Sequence, residues 1–467
     1  VTAFARLAQR RRATGSPLTV LAASGQLGYG IPEKALRAGL ARRPDFIGCD
    51  MGSIDPGPFY LGSGMPAASD QVTRRDLTLV LKGALELGVP LVIGTAGTAG
   101  AAPHLAHTAR LIEEVARAER LRFRLATIAA DMPRDALKAA IRERRVRPLG
   151  PMAALDEGTV DRASHVVGQM GLDAIVQAFA REPDVILAGR ACDTAIFTAI
   201  PHWLGYPMGP VMHMAKIIEC TSICCVPGGR DAMLAILEGD SFILESMAPE
   251  RAATPLSVAA HSLYEQADPL RVHEPEGTLD VGTARFEAVD PRRTRVGGAV
   301  WTPATQRTIK IEGAEWCGER AVLCAGTCDP RVIANVEAII AGVRANVADI
   351  VPPGTNAGYE LIFHTYGLGA VSLFPGGAPE RPPEELFFLV ECIAPTADLA
   401  KAVVGVTKQF LLHHGFPGRL STGGNIAFPF TPPELAGGSA YRFSIHHLME
   451  AADSTAFFPV EIREVGG

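Results

Sequence analysis

The sequence predicts an α/β fold: a mostly parallel, doubly wound sheet followed by a smaller α+β part. Three observations carry this. The N-terminal half alternates short apolar runs with amphipathic helical stretches across short connections, the pattern of strands buried between two helical layers. Beyond about residue 270 the pattern turns to successive strand-like runs. At 467 residues the chain is also too long for one compact core. The expected division is a main domain over 1–320, with a sub-boundary near 270 left open, and a C-terminal domain over 321–467.

Leu18–Ala23 reads as the first strand, followed by a glycine loop and a helix from Pro32 to Arg42, proline being suited to a helix start. Asp45–Cys49 is the second strand, and a helix over Thr73–Leu87 ends at Gly88 and Pro90. Leu91–Gly94, Phe123–Ile128 and Val185–Ala188 are further strands, with helices at Pro103–Arg120, Arg134–Arg145 and Gly168–Arg181. Leu279–Val289, Arg295–Trp301 and Arg307–Glu312 read as adjacent antiparallel strands. Ala321–Cys324 resumes a buried strand and Pro330–Ala345 a helix. Tyr359–Tyr366, Leu386–Ile393, helix Thr396–His414, Arg419–Phe430 and Tyr441–His447 suggest an α+β sandwich, with a surface loop at Phe374–Pro383.

Composition excludes several classes. With 48% hydrophobic and 20% charged residues the chain is globular, not disordered. A net charge of −6 argues against nucleic acid or an anionic membrane as partner. The run Arg10, Arg11, Arg12 reads as a solvated helix face. No apolar stretch reaches the length of a membrane span, and the opening residues are too polar for a secretory signal, so a cytoplasmic location is expected. Nine cysteines without a scaffold rhythm fit a reduced compartment. Cys220, Cys224, Cys225 and, separately, Cys324 and Cys328 approach metal spacing but lack C-x-x-C pairs and nearby histidines; buried thiols are the better reading.

The densest chemistry lies in Val211–Cys220. This apolar helix carries His213, Lys216 and Glu219 at intervals of three, within an arc of roughly 120°. Buried charge is costly unless paired. One reading is a satisfied Lys–Glu pair with a core histidine; the other is an acid/base cluster facing a ligand. Loops after strands come next, because ligands of doubly wound sheets bind there. Ser24–Gly30 contains Gly25 and Gly28, whose backbone N–H groups can approach a phosphate or carboxylate, without the spacing of a dinucleotide fingerprint. A tight turn is the plain alternative. Asp50–Gly64 holds Asp50, Asp55 and Tyr60, suiting a ligand wall or Mg²⁺ site, or else turns and caps. Thr95–His104, with Thr98, forms an anion-receptive nest and places His104 at a helix start. Gly189–Thr194 offers Arg190 as a carboxylate clamp with Asp193 beside it, or a structural bridge between the two. No G-x-S-x-G elbow, P-loop, H-E-x-x-H or kinase signature occurs.

Taken together, DMGSIDPGPFYLGSG, TAGTAGAAPH, AGRACDTAIF, HMAKIIEC and TPLSVAAHSLYEQADP (254–269) resemble the acyclic terpene utilisation protein A (AtuA, DUF1446) family, and CAGTCDPRVI, IAPTADLAKAVVG and GGNIAFPF resemble its C-terminal portion. The similarity spans residues 20 to 450. It implies a Rossmann-like main domain with a ferredoxin-like domain after it, and a setting in the catabolism of branched acyclic terpenoids and related acids or acyl-CoA intermediates. It supplies no residue roles. The chain departs from the family at Ala215 and Thr221, where relatives tend to have glycine.

The expectation is an enzyme without a redox cofactor, optionally assisted by a divalent metal (Mg) at Asp50 and Asp55. It would be a hydratase/dehydratase-type lyase or an isomerase acting on a small anionic organic acid or its CoA ester. Arg190, Asp193, Gly25, Gly28, Tyr60, Thr95, Thr98 and His261 would hold the substrate. Lys216, with its pKa lowered by burial, or His213 would abstract a proton, and Glu219 or His104 would return one. A hydrolase or acyl/CoA transferase using Glu219 or a cysteine as nucleophile, and a non-catalytic subunit or binding module, stay open. The apolar composition points to a homo-oligomer.

Overall fold

The computed structural model describes residues 2–14, 17–264, 267–352, 358–371, 381–420 and 423–466. They form two compact units, Val1–Glu315 with Phe443–Gly467, and Trp316–Arg442. In chain order the first unit opens with α1 (Ala3–Thr14), β1 (Leu18–Ser24), α2 (Glu33–Ala41), β2 (Phe46–Asp50), α3 (Pro58–Ser63) and α4 (Asp70–Leu87). Then come β3 (Leu91–Gly94), α5 (Ala102–Glu119), β4 (Phe123–Ile128), α6 (Arg134–Arg142), β5 (Val146–Pro148) and α7 (Glu157–Arg162). They are followed by β6 (Ala163–Gln169), α8 (Leu172–Phe179), β7 (Val185–Ala188), α9 (Asp193–Trp203) and α10 (Met208–Ile218). The hairpin β8 (Met233–Glu238) and β9 (Ser241–Ser246) precedes α11 (Pro255–Ser262) and the short strands β10 (Arg271–Glu274) and β11 (Gly277–Asp280). β12 (Arg285–Asp290), β13 (Arg293–Gly297), β14 (Val300–Pro303) and the long β15 (Thr308–Thr327) follow. The rest is α12 (Pro330–Ala334), α13 (Val336–Ile350), β16 (Glu360–Tyr366), β17 (Leu386–Ala394), α14 (Ala397–His413), β18 (Glu434–Glu450) and β19 (Val460–Val465).

The main sheet has ten strands in the order β12-β13-β9-β8-β1-β2-β3-β7-β4-β19. Its centre, β1-β2-β3-β7-β4, is parallel. All residues of β2, β3 and β7 are buried, as strands covered on both faces must be. Successive side chains face opposite sides. Leu21, Ile47 and Ile93 pack with α2, α4 and α5, whereas Val20, Phe46 and Val92 pack with α8, α9 and α10. The chain therefore leaves β3 for one face and the neighbouring β7 for the other. That is the switch point at which doubly wound sheets bind ligands.

The expectation of a mostly parallel sheet is corrected at the flanks. The hairpins β8–β9 and β12–β13 extend one edge and β19 the other, all antiparallel, so antiparallel ladders outnumber parallel ones. Leu279–Val289 is not one strand: β11 joins a three-stranded sheet with β10 and β14, while β12 joins the main sheet. Alternation reveals that a strand exists but not which sheet it joins. Helix Gly168–Arg181 is shorter than expected, because β6 takes the residues to Gln169 and pairs with Lys310–Glu315. The chain passes into the second unit within β15 and returns within β18, a return that the division at 320/321 did not include.

The second unit has the element order strand, two helices, two strands, helix, strand, with sheet order β16-β17-β15-β18. Leu323 and Ala325 of β15 and Phe388, Val390 and Cys392 of β17 face Val336, Ile339, Val343 and Val347 of α13 at helical spacing. Thr396 caps α14 by accepting from Leu399 N. Arg419–Phe430 forms no strand among the described residues, and most of the loop read at Phe374–Pro383 lies outside them, as do the side chains of Arg11 and Arg12. No described helix is long and apolar enough to cross a membrane.

Candidate active site

The loops after β3 and β7 meet at the switch point. A Cβ on Gly100 would stand 2.1 Å from Arg190 N, so only glycine lets the two backbones touch. Ala191 N donates to Thr95 Oγ1 and the Thr95 hydroxyl donates to Ala191 O, both at 3.2 Å. Thr95 and Thr98 take left-handed φ values of 47° and 93°, a conformation costly for β-branched residues that persists only where the surroundings impose it. The structure thus makes Thr95 a clasp between the two loops and packs Thr98 against Gly52, in the loop after β2.

Around this junction Asp50 (end of β2), Asp193 (start of α9), Lys216 and Glu219 (end of α10) come together. Lys216 Nζ donates to Glu219 Oε1 at 2.5 Å, and Glu219 is hydrogen-bonded to Asp193. Burial, Asp193 and Glu219 push Asp50 well above the usual carboxylate range. Burial and Asp193 push Glu219 up to about 8, outweighing the ammonium it touches. Asp50 Oδ1 and Asp193 Oδ1 are buried without hydrogen-bond partners, which marks a place where a ligand or proton would be taken up. Glu274, at the end of β10, faces Thr194, Lys216 and Asp193 and is raised by burial. His261 lies near Lys216, stacks on Tyr264 at 5.5 Å, and is lowered to about 4 by burial and that ammonium.

Two expectations about charge are corrected. Burial opposes the charge on Lys216, but Glu219, with Asp193 and Cys220, outweighs it and raises its pKa; the side chain is a fixed cation, not a base. Arg190 cannot clamp a substrate with its fork, because Nε and Nη2 already donate to Glu312 at 2.7 and 3.3 Å, and Nη1 donates to Ala191 O. Lys310 adds a second cation 3.0 Å from Glu312. Burial opposes this carboxylate's charge, yet the two cations hold it down at about 2. Glu312 was missed in the sequence. The available signal was Lys310 and Glu312 two apart on a strand, hence on one face.

The glycine loop is also spoken for. The buried Asp76 carboxylate accepts from the N–H groups of Gly28, Gly30 and Ile31 at 2.9–3.0 Å, so these donors grip the protein's own anion. Asp76 interrupts the apolar stripe Thr73, Leu77, Val80 and Leu81 of α4, a signal that could have found it. Gly25 is required for close packing instead. A Cβ there would lie 2.6 Å from Glu219 O, so the loop rests directly on the end of α10. Beside that contact is a cavity of about 140 Å³ lined by Ser24, Gly25, Gln26, Tyr29, Cys220, Thr221, Ile223 and Arg230, among others.

The remaining residues lie apart from the acidic group. His213 shares α10 but turns to Ser262 Oγ at 2.9 Å, with its ring edge-on to Phe242 and Phe286; burial alone lowers it to about 4. His104 Nε2 donates to Met65 O at 3.0 Å; burial lowers it to about 4, with His165 and His107 nearby. Tyr60 packs on the core from α3. Asp55 is exposed and accepts from Ser53 Oγ at 2.5 Å. Among the described residues no group of three or more His, Cys, Asp or Glu side chains is arranged to hold a metal. The structure thus unites Asp50, Asp193, Lys216, Glu219 and His261, and separates Asp55 from Asp50.

Comparison with known proteins agrees with the motifs. Residues 70–230 match the acyclic terpene utilisation family protein AtuA. That segment carries TAGTAGAAPH, AGRACDTAIF and HMAKIIEC, hence Asp193, Lys216 and Glu219; Asp50 and the motifs after residue 230 lie outside it. No curated protein and no solved structure matches the chain.

Proposed function

We propose that the AtuA-like chain is a proton-transfer enzyme, a hydratase/dehydratase-type lyase or an isomerase, acting on a small carboxylate or its CoA ester. The supporting observation is the group formed by Asp50, Asp193 and Glu219 near Lys216, in which burial makes the Asp50 and Glu219 carboxyls resist ionisation. A carboxyl group with a pKa near 8 is mostly protonated at neutral pH, yet can give up its proton when charge develops nearby. In this reading the minor ionised form of Glu219, made more basic by its raised pKa, takes the α-proton, and Asp193 hydrogen-bonds to it. The fixed ammonium of Lys216 stabilises the enolate oxygen that forms as the α-proton leaves. Asp50 supplies or receives the second proton. A protonated Glu219 is a poor nucleophile, which disfavours the transferase alternative. Among the described residues the site has no group of three or more His, Cys, Asp or Glu side chains arranged to hold Mg²⁺. We read the second unit, from its element and strand order, as ferredoxin-like, and the parallel centre of the main sheet as Rossmann-like.

The test is solvent deuterium incorporation at the α-carbon of branched short-chain acids and their CoA esters, followed by mass spectrometry. Exchange by the wild type, with loss of about 10²-fold or more in Glu219→Gln and Lys216→Met, is the expected result. Full exchange by folded Glu219→Gln would sink the assignment.

A further inference from the structure

We infer that the cavity beside Gly25 and Cys220 binds an aliphatic carboxylate, its head held by Arg230 and its chain laid along Ile223 and Tyr29. The inference names the substrate class of the proposed site and rests on that reading for its catalytic meaning. Four observations place it. First, Arg230 lines the cavity and makes no hydrogen bond or ion pair with any described residue, unlike Arg190 or Arg251, whose forks are filled. An arginine without a partner at a cavity mouth is a ready fork for a carboxylate. Second, the buried lining is polar (Ser24, Thr221), whereas Ile223 and Tyr29 are largely apolar and about half exposed at the rim. Such a seat suits a molecule with one charged and one greasy end. Third, about 140 Å³ is close to the cavity volume that accommodates a benzene-sized ligand, so the seat takes about five or six carbons. Fourth, Thr221 in that wall holds a left-handed φ of 53° while almost fully buried. Cys220, the residue after Glu219, lies in the same wall, and Gly25 beside it rests on the Glu219 carbonyl, so the cavity adjoins the backbone end of α10.

Cys220 also serves as the reporter. The full-length protein is treated briefly with iodoacetate or with iodoacetamide, and each cysteine is read by peptide mass, with the exposed Cys328 as internal standard. Arg230 is expected to favour the anionic reagent at Cys220 by about three-fold or more over the ratio at Cys328. Millimolar 3-methylbutanoate is expected to protect Cys220, and the neutral 3-methylbutanamide is not. Arg230→Gln is expected to remove both effects. Equal ratios at the two cysteines, or carboxylate protection that survives Arg230→Gln, overturn the inference. If Cys220 reacts with neither reagent, titration calorimetry with 3-methylbutanoate decides, and no Arg230-dependent binding overturns it. Glu219→Gln separates the two ideas: protection retained with exchange lost leaves the seat and the chemistry both standing. Exchange that depends on Glu219 but not on Arg230 removes the seat alone.

Discussion

Two buried acid–base groups sit in the first unit and are built from the same residue types with opposite balance. Around Glu312 two cations, Arg190 and Lys310, serve one carboxylate, which is held down at about 2. Around Lys216 three carboxylates, Asp50, Asp193 and Glu219, share that ammonium and one edge of Arg190, whose Nη1 lies 4.0 Å from Asp193 Oδ1; Glu219 rises to about 8, and Asp50 Oδ1 and Asp193 Oδ1 accept no hydrogen bond. The first arrangement satisfies every charge and leaves nothing to titrate near neutrality. The second is short of cations, so its protons are loosely assigned and available for chemistry. Strain follows the same line. Thr95, Thr98 and Thr221, all with positive φ, flank the second group, whereas no such residue lies in 308–315 around Glu312. Burial of charge alone is therefore no sign of function; the ratio of acids to bases is the better guide.

The largest effect expected from this contrast is on stability. Glu312→Leu strands Arg190 and Lys310 without their carboxylate and should cost about 3–5 kcal/mol in urea unfolding at neutral pH. Because the folded pKa of Glu312 is depressed, its contribution is fully present above the ordinary value of 4.5 and fades as pH falls toward 2. The variant should lose that part of the acid limb. A cost under about 1 kcal/mol would erase the contrast between a structural and a poised group.

Glu219→Gln should act in the other direction. With a raised folded pKa, the wild type gives up stability as pH climbs from 4.5 toward 8, where ionisation of the buried acid is forced. The amide cannot ionise, so the variant should be more stable than the wild type at pH 9, on the order of 1–3 kcal/mol, while losing exchange activity. Thermal melts across pH 5 to pH 9 read the difference. Parallel curves for the two proteins would show that Glu219 is an ordinary ion-pair carboxylate.

His213→Gln sharpens the boundary of the poised group. His213 is neutral because it is buried, so the wild type should lose stability as pH falls from 6.5 toward 4, where the unfolded chain takes up a proton that the folded one refuses. The variant should flatten that loss, on the order of 1–2 kcal/mol at pH 4, and keep deuterium exchange within about three-fold of wild type at pH 7. A collapse of exchange in a folded protein would place His213 back among the reacting groups.

The parts of the fold written in local pattern were legible. Leu91–Gly94, Phe123–Ile128 and Val185–Ala188 coincide with β3, β4 and β7, because short, largely buried apolar runs between helices carry strong signals. The hairpins that widen the sheet were not legible, since a partner strand is chosen by contacts distant in sequence. At the site, the i, i+3 pair Lys216–Glu219 and its neighbour Asp193 could be read from spacing and strand order. The direction of Lys216's pKa could not, because it depends on Asp193 of α9 adding to the effect of Glu219. Nor could the fate of Arg190, whose partner Glu312 lies 122 residues away.

The smallest expected effect concerns Thr221, just after the end of α10 in the cavity wall. Its φ of 53° puts a β-branched residue where glycine is at ease, at a cost of roughly 1–2 kcal/mol. Glycine there would relieve that strain but add freedom to the unfolded chain worth roughly 0.5–1 kcal/mol. Thr221→Gly should therefore gain at most about 1 kcal/mol in urea unfolding. It should also loosen the inner wall of the cavity, so that 3-methylbutanoate protects Cys220 less well. A variant that is less stable by more than about 1 kcal/mol would mean that the packing of the threonine side chain outweighs its backbone strain. The left-handed turn would then be a by-product of the close fit between Gly25 and the end of α10, not a feature held for the ligand.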